Sequence, residues 1–284
     1  QGNQTSRVPL KAGAEIFGAS GIAADAEVIG LMLEALQEAN MHSPVLLLGH
    51  MGIYLGLVEQ LLAEGRLDEA RRSALFACIQ RKGASDIRDL LDDSPTAAML
   101  AALPDLMGDI DILNSAGEVL QQAPESVLAA LQELQELSAM VKARYPQVDL
   151  RIDVSELSGY GYHNGPVFAV YHPQHGSALA QGGRYDGVGD VFGRGRAATG
   201  FDMNLKQLMA SAFEQQGAYF APYTADESQA ELAVFVKTLR DEGHRVIVAV
   251  AEDEQSPEGC LGTLVHDQDG GQVRPTGTAP NEQS

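Results

Sequence analysis

A long helical run splits the strand pattern of this chain, and that interruption constrains the fold more than any other feature. "PVLLLGH" (Pro44 to His50) is a run of aliphatics suited to a strand covered on both faces, and strand character returns only at "VDLRIDVSEL", from Val148. From Tyr54 to Tyr145 the pattern is helical almost throughout, punctuated by Pro95, Pro104 and Pro124. Within it, "LDEARRSALFACIQRK" carries acids at its start and bases at its end, as the helix dipole favours. Leu128, Leu131, Leu134, Leu137, Val141 and Tyr145 recur at a spacing that reads as one core face. A sheet interrupted by helices, without regular βαβ alternation, predicts an α+β protein.

The flanks supply the sheet. "PLKAGAEIFG" (Pro9 to Gly18) alternates as a strand does, and residues 22–39 place Val28, Met32, Leu36 and Ala39 on one helix face, with Asp25 and Glu27 near the positive end. Strands follow at "VFAVY", "SALAQGG" and "RAATGFDM", then a helix from about Leu205 to Gln215. These elements form one expected domain over residues 1–220, with the helical insertion at about 54–145. "YFAPYTADESQ" reads as a polar connection to a small α/β lobe over 226–275. That lobe has a helix bearing Leu232, Phe235, Val236 and Leu239, a strand "RVIVAV" and a hairpin turn at "DQDGG". Residues 276–284 read as a disordered tail.

Charge and cysteine usage narrow the function. Nineteen basic against 39 acidic residues give a formal charge of -20, and no basic cluster offsets it, so nucleic acid is not an expected partner. No apolar run approaches the roughly 20 residues needed to span a bilayer, so no membrane partner is expected either. Cys78 and Cys260 lie far apart without CxxC spacing, which indicates neither a disulfide framework nor zinc and makes a reducing cytoplasm the default. His50, His172 and His175 do not make a metal site, because Pro173 breaks helical geometry in "YHPQHG" and no carboxylate or cysteine stands at a partnering interval. No GxSxG, Walker loop or HExxH occurs, and no cofactor is expected. The chain opens "QGNQTSRVPL" without an initiator methionine, so an upstream segment is expected to precede it.

Three stretches could form a binding site. "LSGYGYHNGPVFAVY" (Leu157 to Tyr171) is crowded with glycines and aromatics yet has no charged residue, so it suits a ligand held by shape, ring edges and backbone better than a charged transition state. In it Tyr162 offers an aromatic wall with a polar tip; His163 can donate or accept, or serve as an ordinary structural histidine. Glu15, flanked by small residues, could accept a hydrogen bond from a ligand N–H or simply face water. "AQGGRYDGVGDVFG" brings paired glycines and the trio Arg184, Tyr185 and Asp186; it reads either as a close-approach site or as a glycine-rich turn with a local Arg184–Asp186 pair.

Read in order, "KAGAEIFG", "SGYGYHNGPVFAVY", "GGRYDGVGDVFG" and "ATGFDMNLKQL" resemble histidyl-tRNA synthetase, a class II aminoacyl-tRNA synthetase, over most of residues 9–215. The resemblance implies the class II antiparallel sheet with flanking helices. It also implies a histidine site to which Glu15, Tyr162 and Tyr185 carry over, with His163 where the synthetase has a tyrosine. Ser158 stands where the synthetase has a catalytic arginine, Gln207 where an arginine grips ATP, and Lys11 where it has a glutamine. Two guanidiniums that would neutralise phosphate charge are gone, and neither replacement carries charge.

Histidine-site residues kept, ATP-site arginines lost and a small C-terminal lobe together resemble the family of ATP phosphoribosyltransferase regulatory subunits. What this implies is a non-catalytic protein that partners the short-form catalytic subunit at the first step of histidine biosynthesis, binds free histidine as effector and self-associates as a dimer. Family members begin with a further segment holding class II motifs one and two, so part of the pocket and dimer interface is expected outside this sequence. The alternatives are an active histidine-activating enzyme, against which Ser158 and Gln207 argue, and a scaffold with a vestigial pocket.

Overall fold

The computed structural model describes residues 10–91, 93–157, 161–173, 175–187, 195–209, 217–223, 228–257, 260–266 and 273–276. The chain divides into two compact units, Gln1–Leu208 and Met209–Ser284.

The first unit is an α+β fold on a sheet of seven strands: β1 (Lys11–Phe17), β2 (Val45–His50), β3 (Met107–Gly108), β4 (Asp149–Asp153), β5 (Pro166–Tyr171), β6 (Ala180–Arg184) and β7 (Ala198–Asn204), in the order β1-β7-β6-β5-β2-β4-β3. Every neighbouring pair is antiparallel except β2 and β4. That exception follows from the insertion. The chain leaves β2 at His50, touches the far edge of the sheet only at the two-residue β3, and returns beside β2 at Asp149, and a long crossover can bring a strand back running the same way. The crossover carries α2 (Met51–Ala63), α3 (Glu69–Gln80), α4 (Ala84–Leu90), α5 (Pro95–Ala102), α6 (Ile112–Val119) and α7 (Glu125–Arg144), and α2 starts directly after β2.

Helix α1 (Ile22–Glu38) lies against β1, β6 and β7, burying Val28, Ile29, Met32, Leu33 and Leu36 at the spacing of one helical stripe. It ends because Asn40 turns left-handed, at φ 58, and lets the Met41 N–H reach the Leu36 carbonyl and its own N–H reach that of Gln37. Asp25 lies in the first turn of α1, at the expected positive end, and is also wholly buried. Helix α7 packs on α1, α2 and β2 through Val127, Leu131, Leu134, Ser138 and Val141. Leu128 does not belong to that stripe: one residue round the helix from Val127, it stands 39% exposed.

The second unit is a four-stranded sheet, β11-β10-β8-β9, of β8 (Ala218–Ala221), β9 (Arg245–Val248), β10 (Gly262–His266) and β11 (Val273–Thr276). Strand β8 runs parallel to both β9 and β10, and β10 pairs antiparallel with β11. A short helix, α8, with described residues 205–209, precedes β8, and its residues 205–208 belong to the first unit, where Leu208 joins the core. Helix α9 (Ser228–Asp241) sets Leu232, Val236 and Leu239 against Ala221, Val246 and Leu264. The stretch read as a polar connection therefore begins with a central strand, too short to display alternation and masked by the Pro222 and polar residues after it. The "DQDGG" turn and residues 277–284 lie outside the described residues.

Candidate functional site

Strand alternation builds the site. On β1, Glu15 pairs across the ladder with Gly200 of β7, which in turn faces Gly183 of β6. With no side chain at Gly200, the Glu15 carboxylate lies over β7; a methyl group there would stand 2.3 Å from Glu15 Oε2. Gly183 likewise makes room for the His163 ring, and Gly182 for the Phe168 ring and the Gly200 carbonyl. The paired glycines thus accommodate the protein's own rings and backbone.

The aromatic wall is set by hydrogen bonds at the end of β6. The Tyr185 N–H donates to the Ala198 carbonyl at 2.8 Å, the Asn164 N–H to the Arg184 carbonyl at 3.0 Å, and the Asp186 N–H to Asn164 Oδ1 at 3.0 Å. These ties hold the 161–165 loop against Tyr185, so that Tyr162 stacks on it with centroids 4.6 Å apart and planes at 28°. His163 meets Tyr162 edge-on at 5.3 Å. Tyr185 is 4% exposed and Tyr162 54%, so one ring is fixed and the other forms the outer lip.

Glu15, Tyr162, His163, Gln181, Gly182, Tyr185, Gly200, Phe201 and Asp202 enclose a pocket of about 260 Å³. That is below the roughly 300–1,000 Å³ of pockets for drug-sized ligands and suits something smaller. Burial and the nearby Asp202 carboxylate push Glu15 up from its ordinary pKa; burial and the Glu15 charge push Tyr162 up. Among the described residues no lysine or arginine lines the pocket. Its lining offers acceptors and rings, and among the described lining residues no guanidinium or ammonium is present to neutralise phosphate.

Arg184, expected beside Tyr185 and Asp186 at the site, points to the opposite face of the sheet. Its Nε lies 3.1 Å from Asp25 Oδ2, its Nη2 bonds the same oxygen, and its Nη1 reaches Glu133 Oε2 of α7 at 2.8 Å. His50, buried at the start of α2, places Nε2 3.2 Å from the same Glu133 oxygen, while its Nδ1 accepts the Gly52 N–H at 3.1 Å. Burial works against the Arg184 charge, but the hydrogen bond and charge of Asp25 outweigh it and raise its pKa. The hydrogen bond with His50, aided by the Arg184 charge, overcomes burial and lowers Glu133 to about 2. Asp186 makes no pair with Arg184; it accepts the Ala198 N–H at 3.2 Å.

The structure brings Glu15, Tyr162, His163 and Tyr185 into one pocket, and it adds Gln181 and Asp202, which sequence reading did not single out. The signal for both was the register: Asp202 faces Gly13 on β1 and Gln181 on β6. Gln207, on α8, is not among the lining residues and donates from Nε2 to Ser177 Oγ at 2.6 Å. Ser158 lies outside the described residues. Among the described residues no group of three or more His, Cys, Asp or Glu is arranged for a metal ion, and no helix is long and apolar enough to cross a membrane.

Residues 1–208 match the family model of histidyl-tRNA synthetase. The chain is 40% identical to an ATP phosphoribosyltransferase regulatory subunit from Alkalilimnicola ehrlichii, over 96% of this chain and 69% of that protein. Across such curated relatives it spans 62–70% of their length. In fold it is similar to an ATP phosphoribosyltransferase regulatory subunit/histidyl-tRNA synthetase from Bacillus halodurans, with a TM-score of 0.64 and 23% identity over 87% of this chain and 64% of that one. It is also similar to a chain of the ATP phosphoribosyltransferase complex from Thermotoga maritima, with a TM-score of 0.54 and 19% identity over 69% of this chain and 66% of that one.

Proposed function

Because this chain belongs to the family of ATP phosphoribosyltransferase regulatory subunits, we propose that it acts as a non-catalytic subunit whose pocket binds free histidine for feedback control. The observation that carries this reading is the Glu15 carboxylate set over the glycine floor beside the stacked Tyr162 and Tyr185. A carboxylate accepts an imidazole N–H, the rings supply a flat wall, and the small volume excludes bulkier side chains. The lack of a cation along the described lining and the engagement of Gln207 with Ser177 support loss of adenylate chemistry.

The partner in this reading is the short-form catalytic subunit of ATP phosphoribosyltransferase, a pairing that the complex known from Thermotoga maritima supports, and the chain self-associates as a dimer. Histidine then inhibits by favouring an arrangement with poorer substrate affinity or fewer competent sites. The test pairs two assays on the protein. ATP–pyrophosphate exchange in the presence of histidine stays at the no-protein blank, and co-expression with the catalytic subunit gives a complex that elutes together. Exchange above the blank, or independent elution at micromolar concentration, overturns the reading.

A further inference from the structure

The pocket has a second pole. Lys11, Gly13 and Glu15 share one face of β1, opposite Asn204, Asp202 and Gly200 of β7. Asp202 thus stands one strand repeat, about 6.7 Å, along the sheet from the Glu15–Gly200 pair. The position facing it on β1 is a glycine, so the row beside Asp202 carries no side chain on that strand. Asp202 lines the pocket, and Lys11 reaches it from outside the lining, Nζ to Oδ1 at 2.9 Å. The two side chains are 48% and 40% exposed, so this pair is solvated, weakly held and open to exchange.

Resting on the histidine reading, we propose that Asp202 and Lys11 form a clamp for the zwitterionic backbone of the amino acid. Asp202 accepts the α-ammonium, Lys11 turns to the α-carboxylate, and Glu15 keeps the ring N–H. The charges balance at every stage. One protein–protein ion pair is replaced by two protein–ligand pairs, and the ammonium set near Asp202 relieves the repulsion that Asp202 imposes on Glu15. Selectivity then has two parts: the rings and Glu15 choose the side chain, and the clamp requires a free amino acid carrying both charged groups.

The test is calorimetric titration of the protein with histidine, histamine and 3-(imidazol-4-yl)propionate, the last two lacking the carboxylate and the ammonium respectively. Asp202→Asn weakens histidine and histamine by roughly 10-fold or more and leaves the propionate unchanged or tighter. Lys11→Gln weakens histidine and the propionate and spares histamine. Unchanged urea midpoints show that both variants fold, and either one alone decides the matter. Equal weakening of all three ligands, or of none, overturns the clamp and leaves the histidine pocket standing. A wild type that binds no histidine overturns the pocket reading and the clamp with it.

Discussion

The two faces of the sheet at β6 are built from adjacent residues with opposite chemistry. Arg184 turns inward to Asp25 and Glu133 behind the sheet, whereas Tyr185, the next residue, closes the pocket in front. Behind, Arg184 and Asp25 are buried and paired, with the partly exposed Glu133 as a second partner of the guanidinium, and together they join β6 to α1 and to α7 of the insertion. In front, the floor is glycine and the charges at Glu15, Asp202 and Lys11 are open to water. The difference teaches where each face spends its charge: the back uses it to fix one arrangement of elements, and the front leaves it free to meet a ligand.

The strongest way to break this contrast is to remove the guanidinium. Arg184→Ala leaves Asp25 buried without its cation and should cost about 3–5 kcal/mol, read as a drop in the urea midpoint of the first unit. A comparable deletion in front, Lys11→Ala, should stay within about 1 kcal/mol. If the two cost the same, the contrast fails.

Gly200→Ala probes the front by filling its floor. The added methyl would meet Glu15 Oε2 and, at 2.8 Å, the Ala14 carbonyl, so Glu15 must swing away and the ladder must adjust. The expected cost is about 1–3 kcal/mol in stability, with roughly 10-fold or greater loss of histidine binding by calorimetry. Retained binding would place the ligand elsewhere.

Acid separates the faces by sign. Glu133 is depressed to about 2, so its contribution is present above the ordinary carboxylate range and is lost as pH falls from about 4.5 towards 2. Glu15 is raised, so ionising it opposes folding as pH rises through its shifted value. Melting curves against pH should therefore lose part of their acid dependence in Glu133→Gln, while Glu15→Gln should be slightly more stable than wild type at neutral pH. Both groups are partly solvated, which makes this the smallest of the expected effects.

The sequence made most of the large sheet legible, because β1, β2, β4, β5, β6 and β7 each carry alternation or an aliphatic run long enough to read. The pocket's Glu15, Tyr162, His163 and Tyr185 were legible through family motifs, not through spacing. What escaped depends on distant pairing. Arg184 and Asp25 are 159 residues apart, so only the packed fold reveals that the arginine points away from the site. Asp202 required the β1–β7 register, β8 was too short to show a period, and Leu128 fell one residue off the buried stripe.

The central claim is that this pocket senses histidine through Glu15. It is tested most directly by two curves measured for wild type and Glu15→Ala: calorimetric histidine binding, and histidine inhibition of the complex reconstituted with the catalytic subunit. Losing a hydrogen bond to a charged acceptor should cost about 1.5–3 kcal/mol, a weakening of roughly 10-fold to 150-fold. The account predicts that the inhibition curve moves by the same factor while the uninhibited rate stays close to wild type. Weakened binding with an unmoved inhibition curve would contradict it and assign feedback to another site.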